Sequence, residues 1–374
     1  MTVLKFEKRT YDAWLASAKL PYDSLIPLLH ELEGSSGVYD ALIHDAGNPL
    51  FHLIPEKHLE RLSGNADDVH LSSFQFLLHK HKINSLTIEE EKYPHCLREI
   101  PDPPGILFYQ GNPGCMGRNK TAAMIGSRNA SYAGMRAARK IASELSRSGV
   151  TIVSGLALGI DAESHRGCLE GGSPTIAVMG CGLDRTYPAQ NNELKNTVIN
   201  QGGLILSEYA PGEIPLGFHF PYRNRIISGL SGIVILMEAR IRSGSLTTVG
   251  HALKQGKEVY AYPGDPISPM SEGNRLLLRE GAHYFTEARE ILEDMNWLDN
   301  LPYIMQNSEC SAKTVPENAC ERSVFQALEK GELGFDELQQ ITGATPQELM
   351  STLTVLQIRK IVTPLPGKKY RLRS

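Results

Sequence analysis

Short apolar runs alternate with amphipathic segments through the middle of the chain. The runs are nearly continuous, which is typical of strands buried on both faces of a sheet. They lie at 122–125, 150–153, 175–179, 204–206, 233–237 and 259–261. Apolar residues at helical spacing predict helices at about 132–148 and 246–255, which close on Gly149 and Gly256. Because strands alternating with helices form a parallel sheet covered on both faces, we predict an α/β domain over 81–297.

The residues before this domain have a different pattern. Leucines recur at helical spacing at Leu25, Leu28, Leu29 and Leu32, and a second apolar group lies at 74–78. Glycine- and asparagine-bearing breaks separate these groups. The pattern predicts a small domain of short helices over 1–80, without residues that indicate a chemical role.

A third region follows a stretch without periodicity at 298–316, which we interpret as a linker. Three helices are predicted in this region. The last begins at Pro346, where Thr345 and Glu348 form a capping-box pattern. A hairpin with a glycine turn follows, so residues 317–374 are predicted to form a winged helix. Its wing carries basic residues, and whether this domain binds duplex DNA or a protein stays open; these residues are Lys368, Lys369, Arg371 and Arg373.

Composition narrows the class of protein. The 374 residues are 41% hydrophobic and 21% charged, as in ordinary globular proteins. The sequence shows neither a signal-peptide pattern nor an uninterrupted apolar stretch of membrane-spanning length, so we expect a cytoplasmic protein without a membrane partner. Six scattered cysteines lack metal-ligand spacing, so we expect no metal site. The formal net charge of -4 counts weakly against nucleic-acid binding, but a local basic patch suffices because screening limits each charge to about 10 Å.

The candidate ligand-binding residues lie at the ends of the predicted strands. Glycine- and serine-rich turns follow several strands, including Gly126-Ser127 and Ser243-Gly244-Ser245. Glycines at helix starts let backbone N–H groups approach an anion, which the helix dipole also favours. Arg128, Arg223 and Arg225 lie between these turns, an arrangement that suits a ligand with several phosphates.

Several enzyme classes are disfavoured. The chain has no P-loop, and Gly180-x-Gly182-x-x-Arg185 lacks the third glycine of a dinucleotide fingerprint. Asp161 and His165, four residues apart, could form an acid/base pair, but such residues more often cap and pack a helix start. Glu208 and Glu238 end strands that we take as neighbours. They could be paired carboxylates, although ion pairs that orient arginines are the more frequent arrangement.

A series of motifs runs in unbroken order along about 200 residues: GSR, GLALGID, GCGLD with a following YP, FPYRNRIISGLS and RSGSLTT. Together these motifs resemble the DprA/Smf family of DNA-processing proteins. The resemblance implies an extended Rossmann-like sheet between an N-terminal SAM-like helical domain and the winged helix. It also implies a homodimer that binds single-stranded DNA without sequence preference, protects incoming DNA in natural transformation, and loads a RecA-type recombinase. No enzymatic activity and no cofactor are expected.

The resemblance also implies the residues of the DNA site. They are Gly126, Ser127, Arg128, Phe220, Arg223, Asn224, Arg225, Ser243, Gly244 and Ser245. Some family members have a basic residue just before the FP-x-RNR segment, where this chain has Leu216-Gly217-Phe218-His219. Phe220 or Tyr222 could stack on a base, and core packing is the alternative for Phe220.

Two other functions remain as alternatives. Phosphoribohydrolases with a related fold cleave nucleotides with a P-G-G-x-G-T-x-x-E motif, but the corresponding stretch at 242–248 lacks the double glycine and the glutamate. A transcription regulator would use only the winged helix and would leave the phosphate-binding turns unexplained.

Overall fold

The computed structural model describes residues 5–298, 319–328, 331–358, 361–365 and 369–372. The chain divides into two compact units after Leu298. The predicted linker at 298–316 lies outside the described residues, apart from Leu298. The boundaries predicted at residues 80 and 316 stay predictions.

Five helices open the first unit. Their bounds are α1 (Lys8–Ser17), α2 (Tyr22–Glu31), α3 (Ser35–His44), α4 (Glu56–Gly64) and α5 (Asp68–Lys80). Trp14 is fully buried among them and donates from Nε1 to the carbonyl of Leu62 over 3.1 Å. Lys19 forms an ion pair of 2.5 Å with Glu213, far along the chain. These helices therefore pack on the α/β region of the same unit.

A nine-stranded sheet forms the centre of this unit. Its strands are β1 (Asn84–Thr87), β2 (Ile106–Gly111), β3 (Thr121–Gly126), β4 (Thr151–Ser154), β5 (Ile176–Met179), β6 (Leu204–Ser207), β7 (Ile233–Glu238), β8 (Glu258–Ala261) and β9 (His283–Tyr284). Their spatial order is β1-β2-β6-β5-β4-β3-β7-β8-β9. The strands from β6 to β9 in this order are parallel, whereas β2 runs antiparallel to β6 and β1 antiparallel to β2. The predicted α/β fold with a Rossmann-like parallel sheet is confirmed.

Helices cover both faces of the sheet. They are α6 (His95–Arg98), α7 (Tyr132–Arg147), α8 (Ile160–Gly171), α9 (Asn192–Asn200), α10 (His219–Gly229), α11 (Ser245–Lys254), α12 (Glu272–Arg279) and α13 (Ala288–Asp294). Alternate residues of β3 enter different cores: Ala122 and Met124 pack in one, and Ala123 and Ile125 in the other. This burial on both faces explains why the strand is a continuous apolar run.

The strand order reverses at β3, and this reversal positions a ligand site. From β3 the chain passes through α7 to β4, whereas from neighbouring β7 it passes through α11 to β8. Ala138 of α7 and Val249 of α11 belong to different cores, so the two connections lie on opposite faces of the sheet. A crevice opens where such connections diverge, at the carboxyl ends of the two strands.

The second unit is a winged helix, as predicted. Its elements are α14 (Ala319–Leu328), β10 (Leu333–Gly334), α15 (Phe335–Thr342), α16 (Pro346–Ile358), β11 (Val362–Leu365) and β12 (Lys369–Leu372). The three strands form an antiparallel sheet in the order β10-β12-β11. The capping box forms, since Thr345 Oγ1 donates to Glu348 Oε2 over 2.8 Å and accepts from the Glu348 amide. Lys369 and Arg371 are exposed on the wing, while Lys368 and Arg373 lie outside the described residues.

Candidate nucleic-acid interface

A cavity with a volume of about 600 Å³ lies at the reversal of strand order. Three segments form its walls: the turn after β3, the loop between β7 and α11, and the first half of α10. We call it the main cavity. It brings together nine of the ten site residues implied by the sequence resemblance: Gly126, Ser127, Arg128, Phe220, Arg223, Asn224, Ser243, Gly244 and Ser245.

The turn after β3 is fixed by a buried carboxylate. A Cβ at Gly126 would come within 2.5 Å of Ile160 and 2.9 Å of the Glu238 carbonyl, so the close approach of α8 requires glycine. The Glu238 carboxylate accepts hydrogen bonds from the backbone amide of Ser131 over 2.8 Å and from its hydroxyl. Glu238 therefore holds the turn that carries Arg128, and the expectation that it pairs with an arginine is wrong.

Glu208 and Glu238 do not end neighbouring strands. Strands β5, β4 and β3 separate β6, which precedes Glu208, from β7, which ends at Glu238. Spacing along the chain does not reveal this separation, because the connection from β6 to β7 crosses the sheet. The two carboxylates therefore cannot form the catalytic pair that the sequence left open.

Arg128 is the exposed cation of the β3 turn. The described residues give it no carboxylate partner. Its guanidinium carbon lies 5.0 Å from the centre of the Phe220 ring. The half-buried Phe220 ring also lies 5.3 Å from Tyr187, with an interplanar angle of 34°. A free guanidinium next to aromatic rings can contact a phosphate while a ring contacts a base.

Arg223 forms part of the cavity floor and is only 3% exposed. It donates from Nη1 to the carbonyls of Gly155 and Val178, which joins the ends of β4 and β5. Burial lowers the pKa of Arg223 to about 10, and the nearby Asp161 carboxylate opposes this shift. A Cβ at Gly155 would lie 2.6 Å from the guanidinium, so this buried arrangement also depends on a glycine. Arg223 is therefore a fixed positive charge below the ligand space.

Arg225 is the one implied site residue that does not line the main cavity. Its Nη1 and Nη2 donate to the Glu208 carboxylate over 2.9 and 2.5 Å, and its Nε donates to the Asp102 carbonyl over 2.8 Å. Burial alone would lower the pKa of Arg225, but the ion pair with Glu208 raises it above its usual value. Nη1 also donates to the Tyr222 carbonyl, so all three nitrogens of the guanidinium donate hydrogen bonds within the protein. We therefore assign Arg225 a structural role.

The third wall begins helix α11. Ser243 and Ser245 share a hydrogen bond of 2.7 Å between their hydroxyls, around Gly244. Asn224 Nδ2 donates to Thr247 Oγ1 over 3.0 Å, which ties α10 to α11. The amides of Leu246 and Thr247 donate to the carbonyls of Ser243 and Gly244, and the positive end of the dipole of this helix favours an anion.

Two arginines of this wall were not among the implied site residues. Arg240 and Arg242 are both exposed and line the main cavity. Counting every basic residue near a strand-end turn would have found them. Gly217 lines the cavity from the segment where some family members carry a basic residue. Altogether four arginines and one carboxylate, Asp161, line the cavity, so it carries a positive charge.

The Asp161 and His165 pair has no catalytic geometry. Asp161 accepts hydrogen bonds from the amides of Gly155 and Ala157 over 3.1 and 3.4 Å. His165 is fully buried, its Nδ1 lies 2.7 Å from Thr175 Oγ1, and burial lowers its pKa to about 3. Asp161 therefore fixes the loop before α8 without capping the helix, and His165 packs α8 against Thr175, so the structural interpretation holds without the cap. In the described part of the chain no group of three or more His, Cys, Asp or Glu could hold a metal ion.

None of the helices in the described ranges combines the length and apolar character needed to cross a membrane.

Fold and site together define a Rossmann-like protein with a positively charged cavity at the reversal of strand order and a C-terminal winged helix. The family described as DNA recombination-mediator protein A matches residues 84–296, and the DprA winged helix domain matches residues 310–368. The chain therefore belongs to the DprA/Smf family of DNA-processing proteins, as its motifs predicted.

Relatives and solved structures agree with this assignment. The chain is 44% identical over 232 residues to the DNA processing protein DprA of Streptococcus pneumoniae, covering 62% of this chain and 79% of that protein. It is 36% identical over 292 residues to Protein Smf of Escherichia coli, covering 76% of each chain. The X-ray structure of DprA from S. pneumoniae matches with a TM-score of 0.64 and 37% identity, covering 78% of this chain and 99% of that one.

A structure of DNA processing protein A from Helicobacter pylori, described for its single-stranded DNA binding mode, also matches. Its TM-score is 0.52 and its identity 29%, covering 58% of this chain and 97% of that one.

Proposed function

We propose that the protein binds single-stranded DNA without sequence preference in the main cavity, and that it acts by binding rather than by catalysis. The observation that carries this proposal is the convergence of two glycine- and serine-rich turns with the exposed Arg128 beside aromatic rings. Backbone amides and arginines contact phosphates, which every sequence shares. The H. pylori relative, whose structure concerns single-stranded DNA binding, supports the same ligand.

The absence of catalysis is supported by the bonding of the carboxylates near the cavity. Asp161 accepts from two backbone amides, and Glu238 accepts from Ser131. Neither carboxylate is poised to activate a water molecule or to stabilise a cation formed at a sugar. The winged helix and the main cavity both fit a DNA-processing role rather than nucleotide cleavage.

A titration of fluorescent oligonucleotides at several salt concentrations tests the proposal. We expect tighter binding to single strands than to blunt duplex, similar affinity for different sequences, and a marked loss of affinity as salt rises. Equal or tighter binding to duplex would contradict it. Incubation with nucleoside monophosphates is the companion assay, in which release of free base would favour the hydrolase alternative instead.

Phe220 provides the stacking surface in this proposal. We expect Phe220→Ala to weaken single-strand binding by about 1–3 kcal/mol per stacked base while the salt dependence stays unchanged, because a ring carries no charge. Phe218→Ala is the matched control, since Phe218 lies two residues earlier, is 68% exposed and does not line the cavity. Equal losses in the two variants, or a Phe220→Ala protein that unfolds at lower temperature and binds normally, would favour core packing for Phe220.

We further infer from family membership that the protein forms a two-fold homodimer, protects incoming DNA during natural transformation and loads a RecA-type recombinase onto it. Two linked cavities on one long strand would raise the apparent affinity through effective concentration. Light scattering at micromolar protein is expected to give twice the 41.2 kDa chain mass. A monomer mass, together with affinity that does not depend on strand length, would refute the dimer.

A further inference from the structure

A second cavity, of about 420 Å³, lies between the end of α5, the start of α9 and the loop 183–188. Four of its lining residues are basic and one is acidic, and the basic residues are His81, Lys82, Arg185 and Lys195. Its other polar lining consists of neutral side chains such as Gln110 and Thr186. Burial lowers the pKa of His81, so the cations of this cavity are Lys82, Arg185 and Lys195, which surround a polar space.

The single carboxylate does not neutralise this cavity. Asp184 accepts from the Gly212 amide over 2.7 Å and lies 3.3 Å from Arg185 Nε, and its side chain is only 8% exposed. Lys82 is exposed, and within the described ranges no carboxylate pairs with it. The cavity therefore keeps a surplus of positive charge at its mouth.

The loop 183–188 is shared by the two cavities. Tyr187 lines the main cavity, whereas the two preceding residues, Arg185 and Thr186, line the second one. Residues two apart in a chain lie within about 7 Å of each other, a distance that one extended nucleotide can span. A strand that leaves the main cavity over Tyr187 would therefore reach Arg185 within a single nucleotide.

Hydrogen bonds from Lys195 and Arg185 fix the position of the loop 183–188. The buried Lys195 amine donates to the carbonyls of Leu183 and Arg185 over 2.6 and 3.2 Å. Burial lowers the pKa of Lys195 to about 8. Arg185 Nη2 donates to the Gly212 carbonyl over 3.2 Å. Tyr187 and Arg185 are therefore presented on a fixed loop, with the Tyr187 side chain 43% exposed.

We propose that the second cavity is a phosphate-binding subsite for the continuation of the same single strand, which crosses from the main cavity over Tyr187. This inference rests on the proposed function and extends it by naming where the strand goes next. Lys82 and Arg185 contact the phosphates, and Tyr187 supports the base between the two cavities. Strands that fill only the main cavity do not reach Lys82.

Oligothymidylates of increasing length, titrated against the full-length protein, test this subsite. For the wild type we expect affinity to rise as strands lengthen from about four to about twelve nucleotides, because more of the strand meets protein. Lys82→Glu should leave the affinity for the shortest strand unchanged and weaken binding of the longer strands about three- to tenfold. The salt dependence for the longer strands should also decrease by about one phosphate contact.

Lys57→Glu is the matched control, because Lys57 is an exposed lysine of α4 that lines neither cavity. It makes the same change in charge, and any gain from dimer avidity is common to both variants. Arg185→Ala is the second variant, with thermal unfolding measured because Arg185 bonds the Gly212 carbonyl. We expect it to show the same length-dependent loss.

The outcomes separate the two proposals. One outcome overturns the subsite and leaves the proposal for the main cavity intact. In it the wild type binds single strands, and Lys82→Glu and folded Arg185→Ala bind strands of every length as Lys57→Glu does. A wild type that binds no single strand overturns both. Inorganic phosphate that weakens the binding of long strands but not of short ones would support a phosphate subsite in the second cavity.

Discussion

The Arg128→Ala variant is expected to bind single-stranded DNA at least about tenfold more weakly than the wild type, whatever the sequence of the strand. Arg128 is exposed in the main cavity, and the described residues offer it no competing carboxylate. A charge-assisted contact to phosphate contributes about 1.5–3 kcal/mol, which accounts for a loss of this size. The plot of log affinity against log salt should flatten by about 0.7, the value for one contact on a single strand.

Arg118→Ala is the control for this variant. Arg118 is an exposed arginine just before β3, so it lies at the opposite end of the strand that carries Arg128. Its guanidinium donates to the Gly149 carbonyl over 3.3 Å, and it does not line the main cavity. We expect wild-type affinity and salt dependence for Arg118→Ala. An Arg128→Ala protein that folds normally and keeps the wild-type salt dependence would show that Arg128 does not contact phosphate.

A second large effect is expected on stability rather than on DNA. Arg225→Ala should lower the free energy of unfolding by about 3–5 kcal/mol, because it removes one partner of a mostly buried ion pair. Arg225 is 3% exposed, and its loss leaves the half-buried Glu208 carboxylate and the Asp102 carbonyl without their donor. Denaturant unfolding followed by circular dichroism measures this change.

The double variant Arg225→Ala/Glu208→Ala distinguishes the ion pair from a general packing defect. Removing both charges should cost less than the sum of the two single changes, because the Glu208 carboxylate is then no longer left without its partner. Arg128→Ala should unfold like the wild type in the same experiment. An Arg225→Ala protein that has wild-type stability but no longer binds DNA would show that Arg225 contacts phosphate.

The parts of the sheet that the sequence predicted are those with apolar residues on both faces. β3 sends Ala122 and Ala123 into different cores, so its sequence is a continuous apolar run. β1 and β9 give no such signal: β1 includes two polar residues at its start, and both residues of β9 are exposed. These edge strands form because they pair with a neighbouring strand. The spacing of apolar residues within one segment does not predict such pairing.

The site was predictable where one local turn suffices to define a contact. The β3 turn and the start of α11 each provide a short glycine- and serine-rich segment, and the structure brings both to one cavity. The partner of Arg225 was not predictable from spacing, because Glu208 and Glu238 look equivalent until the strand order is known. Only the crossing from β6 to β7 places Glu208 beside Arg225 and Glu238 beside the Arg128 turn.

Photocrosslinking tests most directly whether the main cavity holds the strand. An oligonucleotide with 5-iodouracil, irradiated with the full-length protein and digested for mass spectrometry, marks aromatic residues that contact bases. The account predicts adducts at Phe220 and Tyr187, which decrease in Arg128→Ala protein and are competed by unlabelled single strand. Adducts confined to the winged helix, or unchanged by Arg128→Ala, would contradict it.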